Sequence, residues 1–211
     1  MSKTIPLSEI QSWSRFYRGN FVNSLSGFKS ATLIGTVDKS RTSNLAIFSN
    51  IMHLGADPAL IGFVNRPREA APHTLANIES TGYYTMNHIH ESILVQAHQT
   101  SAKYDTGVSE FEETGLTEEW HEGVAAPFVK ESKVKYLMQL EEIVPLKQNG
   151  TYFVIGSLKL AIVPSDILLE DGFLALDNAG SITSLGIDGY YATHSLGRFS
   201  YAKPDKPLSK I

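Results

Sequence analysis

Residues 41–74, RTSNLAIFSNIMHLGADPALIGFVNRPREAAPHT, organise the predicted fold. A polar run of mostly small residues at 38–43 is typical of a tight connection. An apolar segment follows at 45–48, and a second one, at 59–65, comes directly after Asp57-Pro58. Both segments are short and bounded by polar or turn-forming residues, as strands usually are. The pattern therefore predicts two short strands joined by polar connections.

Polar side chains lie at the ends of both predicted strands. Ser49 and Asn50 follow the first strand, and Arg66 follows the second. Hydroxyl, amide and guanidinium groups at strand ends can bind an anion through hydrogen bonds and charge. Arg68, two residues farther on, is interpreted as a solvated surface residue.

The strand pattern continues on both sides of this stretch. Residues 30–37 are rich in small and β-branched side chains and predict a strand that forms a hairpin with residues 44–48. The other predicted elements are a helix at 74–80 with Thr74 as its cap, a strand at 83–87, a helix at 91–99, a short helix within 110–120, and strands at 134–144 and 152–163. Five or more successive strands with short helices between them favour an antiparallel barrel over βαβ units.

The first 27 residues predict a helix. Apolar side chains recur there at spacings of three and four and share one face; they are Ile10, Trp13, Tyr17, Phe21 and Leu25. The expected helix covers residues 7–26, with Ser8 as a cap, Gly27 at its end and an interruption at Gly19-Asn20. Its apolar face is interpreted as a surface that packs on the barrel or on a partner subunit.

Composition excludes several classes of protein. The chain has 211 residues, a net charge of -4 and no cysteine. A nucleic-acid-binding protein would usually be strongly basic, and without cysteine there is neither a disulfide nor a thiolate metal site. No signal-peptide pattern or apolar run of about 20 residues is present, so we expect a soluble, cytoplasmic protein with no membrane segment. Length favours one domain, 1–211, with a loosely held tail at 203–211.

Familiar catalytic motifs are absent. No two glycines have the G-x-G spacing of a dinucleotide-binding loop, and no glycine precedes a lysine as in a P-loop. The G-x-S-x-G motif of serine hydrolases is also missing. Any nicotinamide cofactor is therefore expected to bind without a Rossmann unit.

A series of short motifs, in order, carries a family resemblance. They are S-N-L-A-x-F-S at 43–49, D-P-x-L at 57–60, H-T-L-x-N-I-x-x-T-G at 73–82, T-S-A-x-Y at 100–104, S-E-F at 109–111 and T-G-L-T at 114–117. With these motifs the chain resembles the flavin reductase-like FMN-binding split-barrel family, from about residue 28 to residue 153. The resemblance implies a mainly β, α+β fold, an antiparallel FMN-binding split β-barrel, that binds FMN as a homodimer.

The resemblance also implies where the flavin ring binds. It places the backbone of Ser43, Asn44, Leu45 and Ala46 along the pyrimidine edge of the flavin, where N–H and C=O groups can meet the ring's donors and acceptors. Three further positions are implied to lie near the ring, Asn87, Ser101 and Ala102. Tyr104 has two open interpretations, stacking over the ring or packing.

The implied phosphate site combines Ser49, Asn50, Arg66 and Thr74. The family often has Lys-Asp-Thr where this chain has Pro72-His73-Thr74, so the usual lysine is missing and Arg66 is expected to compensate for it. The helix start at Thr74 remains available to an anion. Ile47 stands where the family often has proline, a change expected to be harmless within a strand.

The histidines have open alternatives. His88 and His90 alternate on a predicted strand and share a face, which suits either surface or flavin-adjacent positions, or a metal site with Glu91 or His98. No standard metal-binding spacing accompanies them, so no metal is expected. His194 to Phe199 is interpreted as a surface turn or as part of the substrate mouth.

The resemblance favours an oxidoreductase of the flavin reductase type, with NADH or NADPH passing a hydride to the flavin. Two alternatives stay open: a flavoredoxin-like electron carrier that catalyses nothing itself, and an oxidase similar to pyridoxamine phosphate oxidases. No acid–base dyad stands out, which agrees with any of these functions because a flavin carries the chemistry itself.

Overall fold

The computed structural model describes residues 1–211, and antiparallel strands dominate it. The helices are α1 (Leu7–Ser12), α2 (Arg15–Leu25), α3 (Pro72–Thr81), α4 (Leu94–Gln99) and α5 (Glu110–Thr114). The strands are β1 (Lys29–Ser30), β2 (Thr32–Val37), β3 (Ser43–Phe48), β4 (Met52–Ala56), β5 (Ala59–Asn65), β6 (Tyr83–His88), β7 (Glu118–Glu119), β8 (Phe128–Val129), β9 (Lys135–Leu146), β10 (Thr151–Ile162), β11 (Thr183–Leu185) and β12 (Gly189–Tyr191).

Seven strands form the main sheet, in the order β3-β2-β6-β9-β10-β5-β4, and every neighbouring pair is antiparallel. The predicted hairpin is confirmed, since Val37 pairs with Ser43 and Thr32 with Phe48. The long β9–β10 hairpin closes through a turn that ends at Gly150, whose φ of 73° suits glycine. β3 and β4 are the two edge strands of this sheet.

Strand β2, next to the edge strand β3, is buried on both faces and separates two apolar clusters. Leu33 points into one cluster with Leu45 and Phe111, beneath α4 and α5. Its neighbour Ile34 points into the other, with Phe63 and the α3 residues Leu75 and Ile78. This alternation follows from the period of two along a strand. The two clusters hold the short helices on opposite sides of β2 and β3.

Three elements differ from the expectations. The N-terminal helix is broken at Trp13-Ser14, where Ser14 caps α2 by accepting from Tyr17 N–H, whereas Gly19 lies inside α2. Strand β4 was not predicted; its exposed residues offer only weak apolar alternation. The helix cap at α3 is Ala71 rather than Thr74, because Pro72 begins the helix.

In the C-terminal third, β11 and β12 form a small sheet with β1, in the order β1-β11-β12, that the sequence did not predict. Residues 203–211 are exposed, and Lys210 pairs with Phe199 across a chain reversal. None of the helices is both long and apolar enough to cross a membrane.

Candidate functional site

A cavity of about 480 Å³ opens beside the edge strand β3. Its walls come from β3, the segment after β5, the start of α3, the loop at 100–106 and the β11–β12 region. Its size is within the usual range for a small-molecule site. A second depression, around His90, contains none of the predicted site residues.

Most of the predicted site residues meet at this cavity. Those that line it are Asn44, Ala46, Ser49, Asn50, Arg66, Thr74, Ser101 and Ala102. The structure therefore brings together strand ends and a loop that are up to 58 residues apart in sequence, from Asn44 to Ala102. Ser43, Leu45 and Asn87 do not line it.

One end of the cavity suits an anion. The guanidinium of Arg66 is exposed and forms no ion pair or hydrogen bond, and the hydroxyl of Ser49 also has no partner. Ala71, Pro72 and His73, at the start of the ten-residue helix α3, line the same cavity. A helix start carries partial positive charge, so this end combines a free cation, a hydroxyl and a helix dipole.

Arg68 has a different environment, as expected. Its guanidinium forms hydrogen bonds with both oxygens of Glu79 and stacks over Tyr152. It does not line the cavity. The two arginines of the run at 66–68 therefore differ in availability, and only Arg66 is free to bind a ligand in the cavity.

The side-chain amide of Asn50 is occupied by the protein itself. Its Nδ2 donates to Val64 C=O at 2.8 Å, and its Oδ1 accepts from Val64 N–H at 3.1 Å. The amide thus imitates a strand neighbour for β5 just before β4 begins. Asn50 lies on the cavity wall, but its amide oxygen and one of its two N–H groups are bound to Val64, which the sequence did not reveal.

A buried polar network anchors α3 to the sheet. Asn44 Nδ2 donates to Thr74 Oγ1 at 3.2 Å and to Thr36 Oγ1 at 3.3 Å. Asn77, one turn along α3, donates to the same Thr36 oxygen at 3.1 Å. Thr74 is only 4% exposed, so its hydroxyl serves this network. Asn44 and Thr74 therefore position the start of α3 against β3.

The outer edge of β3 is partly covered. Ser43 Oγ bonds to Ser109 Oγ at 2.7 Å and donates to Glu118, while Leu45 N–H donates to Glu110 Oε2 at 2.9 Å. The side chain of Leu45 is fully buried in the core. Ser43 and the Leu45 N–H are thus not open to a ligand, contrary to the expectation that the whole 43–46 backbone would be.

The next part of this edge is open. Backbone groups of alternate strand residues point to the same side, so Ile47 presents its N–H and C=O outward, as Leu45 does with its C=O. Ile47 lines the cavity. Since β3 has no strand neighbour on this side, the N–H and C=O of Ile47 form an unpaired donor–acceptor edge in the cavity wall.

The prediction that Asn87 lies beside the ligand is wrong in this structure. Asn87 is fully buried, donates to Leu33 C=O and Thr85 Oγ1, and accepts from Val129 N–H at 2.9 Å. All its polar groups are used to join β6, β2 and β8. A buried amide must satisfy its hydrogen bonds, and here the core does so.

The loop after α4 forms the outer wall. Ser101 and Ala102 are exposed, and their N–H groups donate to His98 C=O and Gln99 C=O. Tyr104 lines the cavity, and its hydroxyl accepts from Gln99 Nε2 at 3.2 Å. Lys103 adds a second cation to the lining.

Two groups on the wall were not predicted. Glu110 is only 6% exposed, and burial raises the pKa of its carboxyl, although hydrogen bonds and the field of His73 oppose that rise. Tyr190, from β12, bonds through its hydroxyl to His98 Nδ1 at 2.8 Å. The S-E-F motif at 109–111 was a local signal for Glu110, but nothing local indicated that residue 190 would meet residue 98.

The other histidines lie away from the cavity. His88 is mostly buried, bonds to Ser181 Oγ at 3.1 Å, and burial lowers its pKa to about 4. His90 Nε2 donates to Glu131 C=O at 2.9 Å. His194 is exposed and does not line the cavity, so the 194–199 segment is a surface segment rather than part of the mouth.

Comparison with known proteins agrees with this geometry. The flavin reductase like domain matches residues 25–170, well over half of the chain. The chain belongs to this family. The resemblance seen in the sequence is therefore confirmed, and the match includes β3, α3, the loop at 100–106 and Glu110.

Solved structures of other proteins share the fold. A protein from Shewanella frigidimarina NCIMB 400, provisionally named a flavin reductase with split barrel domain, is 46% identical, with a TM-score of 0.92 over 95% of this chain and 100% of that one. Nitrilotriacetate monooxygenase component B from Bacillus cereus is 20% identical, with a TM-score of 0.80 over 94% and 98%. Flavoredoxin of Desulfovibrio vulgaris (Miyazaki F) is 20% identical, with a TM-score of 0.69 over 85% and 92%.

The last two likenesses show the fold alone. Together with the sheet order, these structures confirm the predicted antiparallel split barrel with short helices. Family membership implies a flavin as cofactor or substrate.

Proposed function

We propose that this protein binds FMN and acts as a flavin reductase-type oxidoreductase that accepts a hydride from NADH or NADPH. A cytoplasmic location is part of the proposal, because such donors are found there and a cysteine-free chain suits a reducing compartment. One observation carries the proposal: a single cavity joins an unpaired backbone edge on β3 to an end with a free guanidinium and a helix start.

The lining fits the two unlike ends of FMN. Arg66, Ser49 and the start of α3 would hold the phosphate, since they supply charge, a hydroxyl and a helix dipole. Ile47 N–H and C=O would meet the pyrimidine edge, which needs both donors and acceptors. Asn44, Thr74 and Asn50 would act by keeping these groups in place, through the bonds described above.

A bound flavin supplies the hydride-accepting chemistry, so the residues of this chain need only bind, orient and exclude water. His98 lines the cavity, and its ring bonds to the hydroxyl of Tyr190. We expect His98→Ala to slow flavin reduction only modestly, much less than the loss of about 10²–10⁴-fold that removal of a general acid causes.

Reduction of the bound flavin tests the proposed activity. Purified protein with FMN is mixed with NADH or NADPH in the absence of oxygen, and the flavin absorbance is followed by stopped flow. Rapid bleaching supports the reductase. If neither nicotinamide bleaches the flavin but a reduced ferredoxin-type protein does, the reductase is excluded and the protein is an electron carrier.

Discrimination between FMN and riboflavin tests the phosphate end. Each charge-assisted hydrogen bond contributes about 1.5–3 kcal/mol, so two of them should make FMN bind on the order of 10²–10⁴-fold more tightly than riboflavin. Arg66→Ala should remove much of this difference and leave riboflavin binding almost unchanged, as measured by titration calorimetry.

Arg68→Ala is the matched control, because Arg68 is bound to Glu79 outside the cavity. The Arg68→Ala protein should discriminate between FMN and riboflavin as the parent does. Equal affinity of the parent for FMN and riboflavin would contradict the site. If the Arg66→Ala protein still discriminated fully between FMN and riboflavin, the phosphate would be assigned to Lys103 instead, the other cation of the lining.

A further inference from the structure

Glu110 is a buried carboxylate on the wall of the cavity. It is 6% exposed, opens the short helix α5, and accepts from Leu45 N–H at 2.9 Å through Oε2. Its other oxygen, Oε1, has no hydrogen bond to another residue. This carboxylate therefore touches the outer edge of β3 immediately before the open edge at Ile47.

Opposing effects act on the two protonation states of Glu110. Burial favours the neutral acid and raises its pKa, whereas the Leu45 N–H and the field of His73 favour the carboxylate. Titratable and charged groups lie on the adjoining elements and along the cavity wall. They are His73 on α3, His98 on α4, Glu112 and Glu113 on α5, Glu118 on β7, and the cavity residues Arg66, Glu69, Lys103 and Asp105.

A flavin in the cavity would shift this balance in one direction. The ring would displace water from the carboxylate, and the pyrimidine carbonyls would bring partial negative charge to the β3 edge. Both effects disfavour the ionised form. A neutral carboxyl can still accept from Leu45 N–H, and it gains an O–H that can donate to a ring acceptor.

We propose that Glu110 is a positioning residue that holds the β3 edge and takes up one proton when a flavin binds, so that the site binds flavin more tightly as the pH falls. This inference rests on the proposed flavin-binding function. Linkage fixes its sign: if the complex binds more protons than the free protein, affinity rises with falling pH between the two pKa values of Glu110.

Riboflavin is the probe, because FMN carries a phosphate that itself titrates at about pH 6. Its affinity for the full-length protein is measured by fluorescence quenching from about pH 5 to about pH 8. Exposed carboxyl groups with ordinary pKa values and the neutral ring change their protonation little in this range. The expected affinity rises as the pH falls, by at most about tenfold per pH unit, as uptake of one proton allows. Titration calorimetry in buffers of different ionisation enthalpy should show proton uptake by the parent protein without any substitution.

Glu110→Gln keeps an oxygen for Leu45 N–H and should bind riboflavin with little dependence on pH and no proton uptake. Glu113→Gln, an exposed change on the same helix, should keep the pH dependence, as should His73→Gln. If the parent protein binds riboflavin without proton uptake, the inference about Glu110 is overturned but the proposed function is not. The same holds if the Glu110→Gln protein keeps the pH dependence of riboflavin affinity. Absence of FMN and riboflavin binding at every pH instead overturns the proposed function, and the role of Glu110 falls with it.

Discussion

Gly156 and Tyr84 show how closely single residues are matched in the barrel core. Tyr84, on β6, is fully buried, and its hydroxyl has no hydrogen-bond partner. Burial raises the pKa of this phenol. A Cβ on Gly156 would lie 2.2 Å from that hydroxyl oxygen and 2.9 Å from Gln139 C=O. Glycine at 156 is therefore required by the tyrosine opposite it.

This contact predicts a coupled pair of substitutions. Gly156→Ala should destabilise the protein by about 1–3 kcal/mol, the usual cost of overpacking. Tyr84→Phe should be neutral or stabilising by up to about 1 kcal/mol, since the lost hydroxyl has no partner to leave unsatisfied. Urea unfolding of both single variants and the double variant should show that Tyr84→Phe relieves part of the alanine's cost.

Tyr83→Phe, on the same strand but half-buried, is the control and should not relieve it. Strict additivity of Tyr84→Phe and Gly156→Ala would mean that the strain at position 156 comes from Gln139 C=O alone.

An ion pair stabilises the short hairpin of β7 and β8. Each strand has two residues, too few to be stable alone. Lys135, on β9 and only 5% exposed, pairs with Glu119 and donates to Val129 C=O at 3.2 Å. The ammonium thus joins both strands of the hairpin to the main sheet, at the point from which Ser109 and Glu118 reach β3.

Removing either partner of the Lys135–Glu119 pair should lower the free energy of unfolding, but by different amounts. Glu119→Gln leaves a buried ammonium and should cost about 1–3 kcal/mol, whereas Lys135→Met leaves a carboxylate that water can reach and should cost less. Thermal unfolding at neutral pH measures both. A larger loss for Lys135→Met would show that the methylene packing of the lysine outweighs its charge.

The same pair predicts a pH dependence. Burial acts to raise the pKa of Glu119, but hydrogen bonds from Lys135 and His121 outweigh it and lower the pKa below its usual value. A depressed acid pKa stabilises the fold above the unfolded value of about 4.3, and this contribution is lost as the pH falls through the folded value. The stability difference between the parent and Glu119→Gln should therefore shrink as the pH falls below the unfolded pKa and through the folded one.

The N-terminal arm, α1 and α2, contributes no buried residue to the chain. Trp13 packs edge-on against Tyr17 and Phe21, so the aromatic side chains mostly contact one another. Large apolar side chains on α2 stay exposed; they are Phe16 (81%), Tyr17 (61%), Val22 (50%) and Leu25 (66%). Exposed patches of this kind mark interaction surfaces, and we propose that the arm packs on a second copy in a two-fold homodimer.

Charge placed on this face should dissociate the dimer. Tyr17→Glu combined with Leu25→Glu should convert a dimer at micromolar concentration into a monomer, as measured by sedimentation velocity. Asn23→Glu, a charge at an exposed polar position on the other side of the same helix, should leave the dimer intact. A parent protein that sediments as a monomer with FMN bound would contradict the proposal.

Local sequence was sufficient for much of this protein. Strand-like segments located β2, β3, β5, β6 and the long hairpin, and the helix predicted at 74–80 lies within α3. Residue type at the strand ends also identified Arg66 and Ser49, which the structure leaves free in the cavity. Such features depend on neighbours within a few residues, so they can be predicted from the chain alone.

The role of each remaining polar group depended on residues far away along the chain. Asn87 and Asn50 have the chemistry of ligand-binding amides, yet Val129 and Val64 occupy them. Glu110 meets Leu45 across 65 residues, and Tyr190 meets His98 across 92. Sequence patterns record which face of an element is buried, whereas only the packed sheet determines which partner satisfies a buried donor or acceptor, because each such group binds whatever the fold places within about 3 Å.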